Sequence, residues 1–126
     1  MRYLLDTTVL IDYVNGRPGA GAIVEQLFSQ QADLITCDVV ACECRSSGTD
    51  EHLQEIARLL EPLEYVATSP NAAAWAAASR MRRHREGGKL GLGDALIAGV
   101  AATIGAIVVT RNRPDFERQG VSVLTY

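Results

Sequence analysis

The sequence is poor in the residues on which several chemistries depend. Its 126 residues include three Cys, two His, one Trp and four Pro, and aromatic side chains make up only 6%. Three cysteines, Cys37, Cys42 and Cys44, are an odd number and too few for a disulfide scaffold. Cys42 and Cys44 are two apart, so on a helix they face different directions, and no second pair or nearby His completes a zinc site. All three are expected as buried apolar side chains in a reducing compartment. Long hydrophobic runs are also missing. The longest uncharged stretch, Ala95 to Thr110, is sixteen residues, short of the ~20 that cross a bilayer as a helix. A carboxylate as early as Asp6 argues against a secretory leader. The expectation is a cytoplasmic protein of one domain, residues 1–126. With 48% hydrophobic residues, it can bury a core without disulfides or a structural metal.

Lysine is nearly absent: eleven of the twelve basic residues are Arg, a side chain suited to bidentate phosphate contacts. The net charge of −3 would argue against an acidic partner, but it conceals an asymmetry. Residues 1–79 carry −7, whereas residues 80–126 carry +4, concentrated in Arg80, Arg82, Arg83, Arg85 and Lys89, then Arg111, Arg113 and Arg118. The cluster at 80–85 is either a solvated helix end, where cations suit the dipole, or a phosphate-binding rim.

What is present is an alternation of short apolar runs with amphipathic segments. Tyr3-Leu4-Leu5, Leu34 to Cys37, Glu64 to Ala67, Ala106 to Thr110 and Val121 to Leu124 read as strands. Helices are expected over Val9–Val14 with Thr7 as cap, Gly19–Gln31, a segment capped by Asp38, Asp50–Leu60, a segment opened by Ser69-Pro70, and Gly93-Asp94 through Ile104. Most of these strands lack polar alternation, as strands buried on both faces do. The pattern predicts an α/β protein with helices packed on a central, mainly parallel sheet of about five strands.

In such sheets ligands bind beyond the carboxyl ends of the strands, at the switch point of the strand order. Polar residues fall there. Asp6 ends the first strand, Asn112 and Asp115 follow Ala106–Thr110, and Asp94 opens an otherwise apolar helix. Glu43 lies among nonpolar neighbours, where an unpaired charge is costly. Singly, each has a plain structural role as a cap, turn residue or ion-pair partner. Together they would repel one another, and a divalent cation relieves that repulsion. Oxygen donors without His favour Mg²⁺, or Mn²⁺, over Zn²⁺. Carboxylates holding Mg²⁺ beside an Arg-rich surface suit phosphodiester hydrolysis.

Four blocks in register resemble the PIN-domain ribonucleases, specifically the VapC-type toxins of toxin–antitoxin pairs. They are Tyr3-Leu-Leu-Asp6-Thr7-Thr8-Val9-Leu10-Ile11-Asp12, Val39-Val-Ala-Cys-Glu43, Gly91-Leu-Gly-Asp94-Ala-Leu-Ile-Ala98 and Thr110-Arg-Asn112-Arg-Pro-Asp115-Phe116. The resemblance spans essentially the whole chain. It implies a three-layer α/β/α fold with the first and fourth strands adjacent at the centre. It implies Asp6 and Asp94 as the principal Mg²⁺ ligands, Glu43 as the second acid, and Asp115 as an outer member supported by Asn112, which stands where many relatives have Asp. Thr7 matches a small hydroxylated residue of the metal site, and Thr8 replaces a common Asn. The implied function is a Mg²⁺-dependent endoribonuclease, neutralised by a small cognate antitoxin, with Arg82, Arg85 and Arg111 as candidate contacts for the RNA.

Other signals carry less. Gly87-Gly-Lys-Leu-Gly91-Leu-Gly93 is glycine-rich, but no strand leads into it and no Gly-Lys-Ser/Thr follows. The alanine stripe Ala72–Ala78 permits close helix approach and suggests a homodimer or a partner groove. Two other readings share the architecture: a receiver-like phosphoacceptor domain, and a PIN fold that binds RNA or protein without cutting. The first expects a Lys after a late strand, whereas the single Lys, Lys89, precedes a helix.

Overall fold

A computed structural model describes residues 1–126. The elements are β1 (Arg2–Leu5), α1 (Thr7–Val14), α2 (Pro18–Ser29), β2 (Asp33–Cys37), α3 (Asp38–Cys44), α4 (Asp50–Leu60), β3 (Glu64–Val66), α5 (Pro70–Arg85), α6 (Leu92–Ile104), β4 (Ile107–Val109), α7 (Arg113–Glu117) and β5 (Val123–Leu124). The five strands form one sheet in the order β3-β2-β1-β4-β5, and every pairing is parallel. Helices cover both faces. The chain runs from β1 outward to β2 and β3, then returns to place β4 on the other side of β1. The switch point therefore lies between β1 and β4, as the resemblance implied. This order also differs from the 2-1-3-4-5 of receiver domains, which removes the phosphoacceptor reading.

The core is built from the apolar runs that mark the strands. Leu4, Leu5, Ile35, Val108 and Val109 are fully buried, together with Val9 and Leu10 of α1 and Ile97, Ala98 and Val100 of α6. Helix starts follow local chemistry. The Ser69 hydroxyl accepts from the Ala72 amide at 3.0 Å, and Pro70 occupies the first helical position, where its missing N–H costs nothing. Thr49, rather than Asp50, caps α4 by accepting from the His52 amide at 3.1 Å. Asp38, expected as a cap, lies in the first turn of α3 instead. Its carboxylate accepts from the Thr68 amide and hydroxyl at 3.1 and 2.7 Å, tying the end of β3 to α3.

One edge of the alanine stripe is an internal contact, while Ala73, Ala74, Ala77 and Ala78 are exposed. Ala72 and Ala76 are buried and face α6, where a Cβ on Gly99 would come within 2.4 Å of the Ala72 carbonyl oxygen. The helices approach so closely because neither presents a large side chain there. That edge is therefore used within the chain, and the other alanines face outward. Gly99→Ala gains helix propensity of up to ~1 kcal/mol but must push two backbones apart, which costs ~1–3 kcal/mol. The expected outcome is a net loss of about 1 kcal/mol in chemical denaturation. An unchanged or raised midpoint would show that α5 and α6 separate freely.

Candidate active site

The parallel register of β1 with β4 sets Leu5 opposite Val109. The next residues, Asp6 and Thr110, leave the sheet side by side, and the Asp6 amide still donates to the Val109 carbonyl at 3.0 Å. Asp6 is 2% exposed and sits at the position that caps α1, yet its carboxylate does not cap the helix. Instead its Oδ2 accepts from the hydroxyls of Thr110 and Thr8, at 2.8 and 3.0 Å. Neither hydroxyl touches Oδ1. Thr8, which departs from the common Asn of the resembled family, thus supplies a donor to the carboxylate. It also accepts from the Arg111 amide at 3.1 Å.

Asp94 enters from the first turn of α6. Burial, followed by the charges of Asp6, Asp115 and Glu43, pushes its carboxyl up to about 6. Burial also raises Asp6, against the opposing hydrogen bonds from Thr110, Thr8 and the Thr7 backbone. The four acids therefore act on one electrostatic site, in which Asp94 feels all the others. Asn112 donates to Asp115 Oδ2 at 2.8 Å and, at a longer 3.4 Å, to Asp94 Oδ2. It thereby spans the two acids that its position suggested it would support.

Glu43 corrects the sequence reading in one respect. It is exposed to solvent rather than set among apolar neighbours. The short helix α3 turns Val40 and Cys44 inward, which puts Cys42 and Glu43 on its outer side. Cys42 is exposed for the same reason, whereas Cys37 and Cys44 are buried as expected. The Thr7 hydroxyl donates to Glu43 Oε1 at 2.6 Å. A Cβ on Gly93 would lie 2.6 Å from Oε2, so the glycine leaves room for this carboxylate against the start of α6.

The basic residues divide. Arg82 and Arg85 are exposed at the end of α5, and Arg82 reaches the Gln119 carbonyl at 3.4 Å. Arg111, expected on the substrate, has another partner. Its Nε donates to Asp12 at 2.8 Å, and Asp12 is 4% exposed. The Tyr126 hydroxyl donates to the same carboxylate oxygen at 2.6 Å, so α1, the turn after β4 and the chain end are joined there. Two residues to which the sequence assigns no site role also stand here. Thr110 is signalled only by its place at the end of a central strand. Gln119, 5% exposed, accepts from Ser79 at 3.0 Å and donates to the carbonyls of Asp115 at 3.1 Å and Asp94 at 3.4 Å. It links α5, α6 and α7 behind the acids.

No three His, Cys, Asp or Glu side chains are gathered tightly enough for a closed metal cage. The donor set nonetheless fits a hard cation. Mg²⁺ is commonly held by one or two carboxylates, with water and substrate phosphate completing its six ligands. Asp6 has an oxygen clear of its two hydroxyl partners, and Asp94 has only the long contact from Asn112. A cation held there would offset both the burial and the neighbouring negative charges that raise Asp94.

Comparison with known proteins bears on this arrangement. The family model described as PIN domain matches residues 3–121. The tRNA(fMet)-specific endonuclease VapC of Shigella flexneri is 26% identical over 125 residues, covering 95% of this chain and 93% of that protein. The structure of VapBC2 from Rickettsia felis bound to a promoter DNA fragment superposes with a TM-score of 0.86 at 22% identity, covering 100% of this chain and 99% of the other. DNA-bound VapBC from Salmonella typhimurium gives 0.85 at 25% identity, covering 99% and 98%.

Proposed function

The chain belongs to the PIN-domain family, and from that membership we propose that it is a metal-dependent endoribonuclease, the toxin of a toxin–antitoxin pair. The observation that carries this reading is the convergence of buried Asp6 and of Asp94, two oxygen donors at the switch point of a parallel sheet. Asp6 and Asp94 would hold Mg²⁺, with Mn²⁺ as a substitute. When bound, such an ion neutralises charge on a scissile phosphate and acidifies water.

The chain's own residues prepare the site. Thr8 and Thr110 fix one oxygen of Asp6 and orient the other. Asn112 and Gln119 hold the segment of Asp115 against the start of α6. Thr7 steadies Glu43, whose exposed carboxylate is free to take a proton from an attacking water. Attack in line on the phosphorus breaks its bond to the 3′ oxygen, which takes a proton from solvent, so that a 5′-phosphate and a 3′-hydroxyl result and no protein nucleophile is required. The tRNA endonuclease relative supports RNA as the substrate class, and the VapBC complexes support a small antitoxin as partner.

The test is expression of the protein with and without a small antitoxin encoded beside it, followed by mapping of RNA 5′ ends. Growth arrest with new 5′-phosphate ends, both suppressed by the antitoxin, is expected. Normal growth with no new ends would refute the reading.

A further inference from the structure

A second feature lies beside the acids and remains unused by the chemistry above. The last turns of α5 and the 86–91 loop enclose an open cleft of about 600 Å³. Its lining includes Arg80, His84 and Lys89 together with Ala77, Met81 and Leu90, and no carboxylate lines it. The loop is anchored there, since Arg80 Nε donates to the Leu90 carbonyl at 3.1 Å. Met81 is 54% exposed, an uncovered thioether on a helix otherwise ending in cations. A smaller depression shares Lys89 and Leu90 with the cleft. It adds Arg82, Arg83 and Arg118, with Glu86 facing Arg83, and it reaches Asp115. A path of mostly positive charge thus runs from the acidic site, across Lys89, into the cleft.

We propose that this cleft is a nucleotide subsite for single-stranded RNA, resting on the nuclease reading above. A base would lie against Met81, Leu90 and the His84 ring, and the adjoining phosphates would meet Lys89, Arg82 and Arg118. Cations around the cleft select an anionic occupant. Sequence-tolerant single-strand sites combine a cationic groove with flat side chains on which a base can stack, here the His84 ring beside Met81 and Leu90. A helix dipole accounts for cations at the end of α5, but it accounts neither for the exposed Met81 nor for the continuity with Asp115. The cleft volume also falls in the range of ligand sites, about 300–1,000 Å³. The subsite would set which nucleotide stands at a fixed distance from the cut, so it is a determinant of specificity.

The test uses Asp94→Asn protein and a mixed-sequence single-stranded oligoribonucleotide of about 12 nucleotides, read by fluorescence anisotropy. Met81→Ala, His84→Ala and Lys89→Ala are each expected to weaken binding about tenfold, with unchanged melting temperature. Lys89→Ala should also lower the salt slope by about one. In the active protein the same changes should raise KM and leave kcat in place. Arg58→Ala, exposed on α4, serves as the unaffected control. If all three variants bind and cut RNA like their parents, the subsite assignment fails and the nuclease reading stands. It also fails if they lose binding only to an acidic peptide rich in Glu and Leu, which would make the cleft a protein groove. If the parent neither binds nor cuts RNA, both readings fall together.

Discussion

Asp94→Asn and Asp6→Asn proteins are each expected to cut RNA at least a thousandfold more slowly than the parent, roughly the effect of losing a metal ligand that stabilises transition-state charge. The two changes are nearly isosteric. Each keeps the hydrogen-bonding shape of the site while removing a negative oxygen. Asp6 is held at the end of β1 by Thr8 and Thr110, whose hydroxyls serve an amide oxygen as well. The fold should therefore survive, and circular dichroism should show it. Chelation of divalent ions should abolish cleavage by the parent, and Mg²⁺ or Mn²⁺ should restore it. Full activity in either Asn variant, or in chelator, would refute the assignment. Partial loss confined to KM would move Asp94 from the reacting centre to substrate binding.

Metal-free protein should lose stability as the pH rises from about 4 to above 6. The Asp94 carboxyl is pushed from 3.8 up to about 6 by burial and by Asp6, Asp115 and Glu43. Below pH 4 the group is protonated in both folded and unfolded chains, so it costs nothing. Between the two values the folded state holds the extra proton, so stability falls with pH; above 6 the cost is complete. A shift of about two units is worth nearly 3 kcal/mol, and partial solvent access at the site reduces this to about 2 kcal/mol. Burial raises Asp6 in the same direction. Asp94→Asn should thus be more stable than the parent by about 2 kcal/mol at pH 8 and equal to it near pH 4. Mg²⁺ should raise the melting temperature of the parent and have much less effect on the variant, because only a ligand bound to the folded state adds stability. Parallel curves for the two proteins between pH 4 and 8 would refute the account.

Both predictions rest on residues that stand out in the sequence. Asp6 and Asp94 are visible in one dimension because each interrupts an apolar context at a boundary, one at the end of a strand and one at the start of a buried helix. The strands are visible for a related reason, since a strand covered on both faces has no polar alternation to obscure it. Element ends were less legible. Helix α7 has only five residues, too few to show a period, and Arg113-Pro114 reads equally well as a turn. The sequence points to Thr7 as the cap of α1, whereas Asp6 holds that position, because a hydroxyl and a carboxylate are both good caps.

The sequence by itself determined the α/β class, the parallel sheet and the acids at its carboxyl edge. These follow from which faces are apolar, and that is a property of neighbouring residues. Only the tertiary structure decided which partner each group has. Arg111 meets Asp12 across 99 positions, Thr110 meets Asp6 across 104, and Gln119 meets Ser79 across 40. Ala72 and Ala76 of the alanine stripe receive α6, and Glu43, expected in a dry setting, faces solvent. Periodicity states that a face must be covered and that a buried charge must be compensated. What covers or compensates it depends on segments brought together by the β1–β4 pairing, which no local pattern encodes.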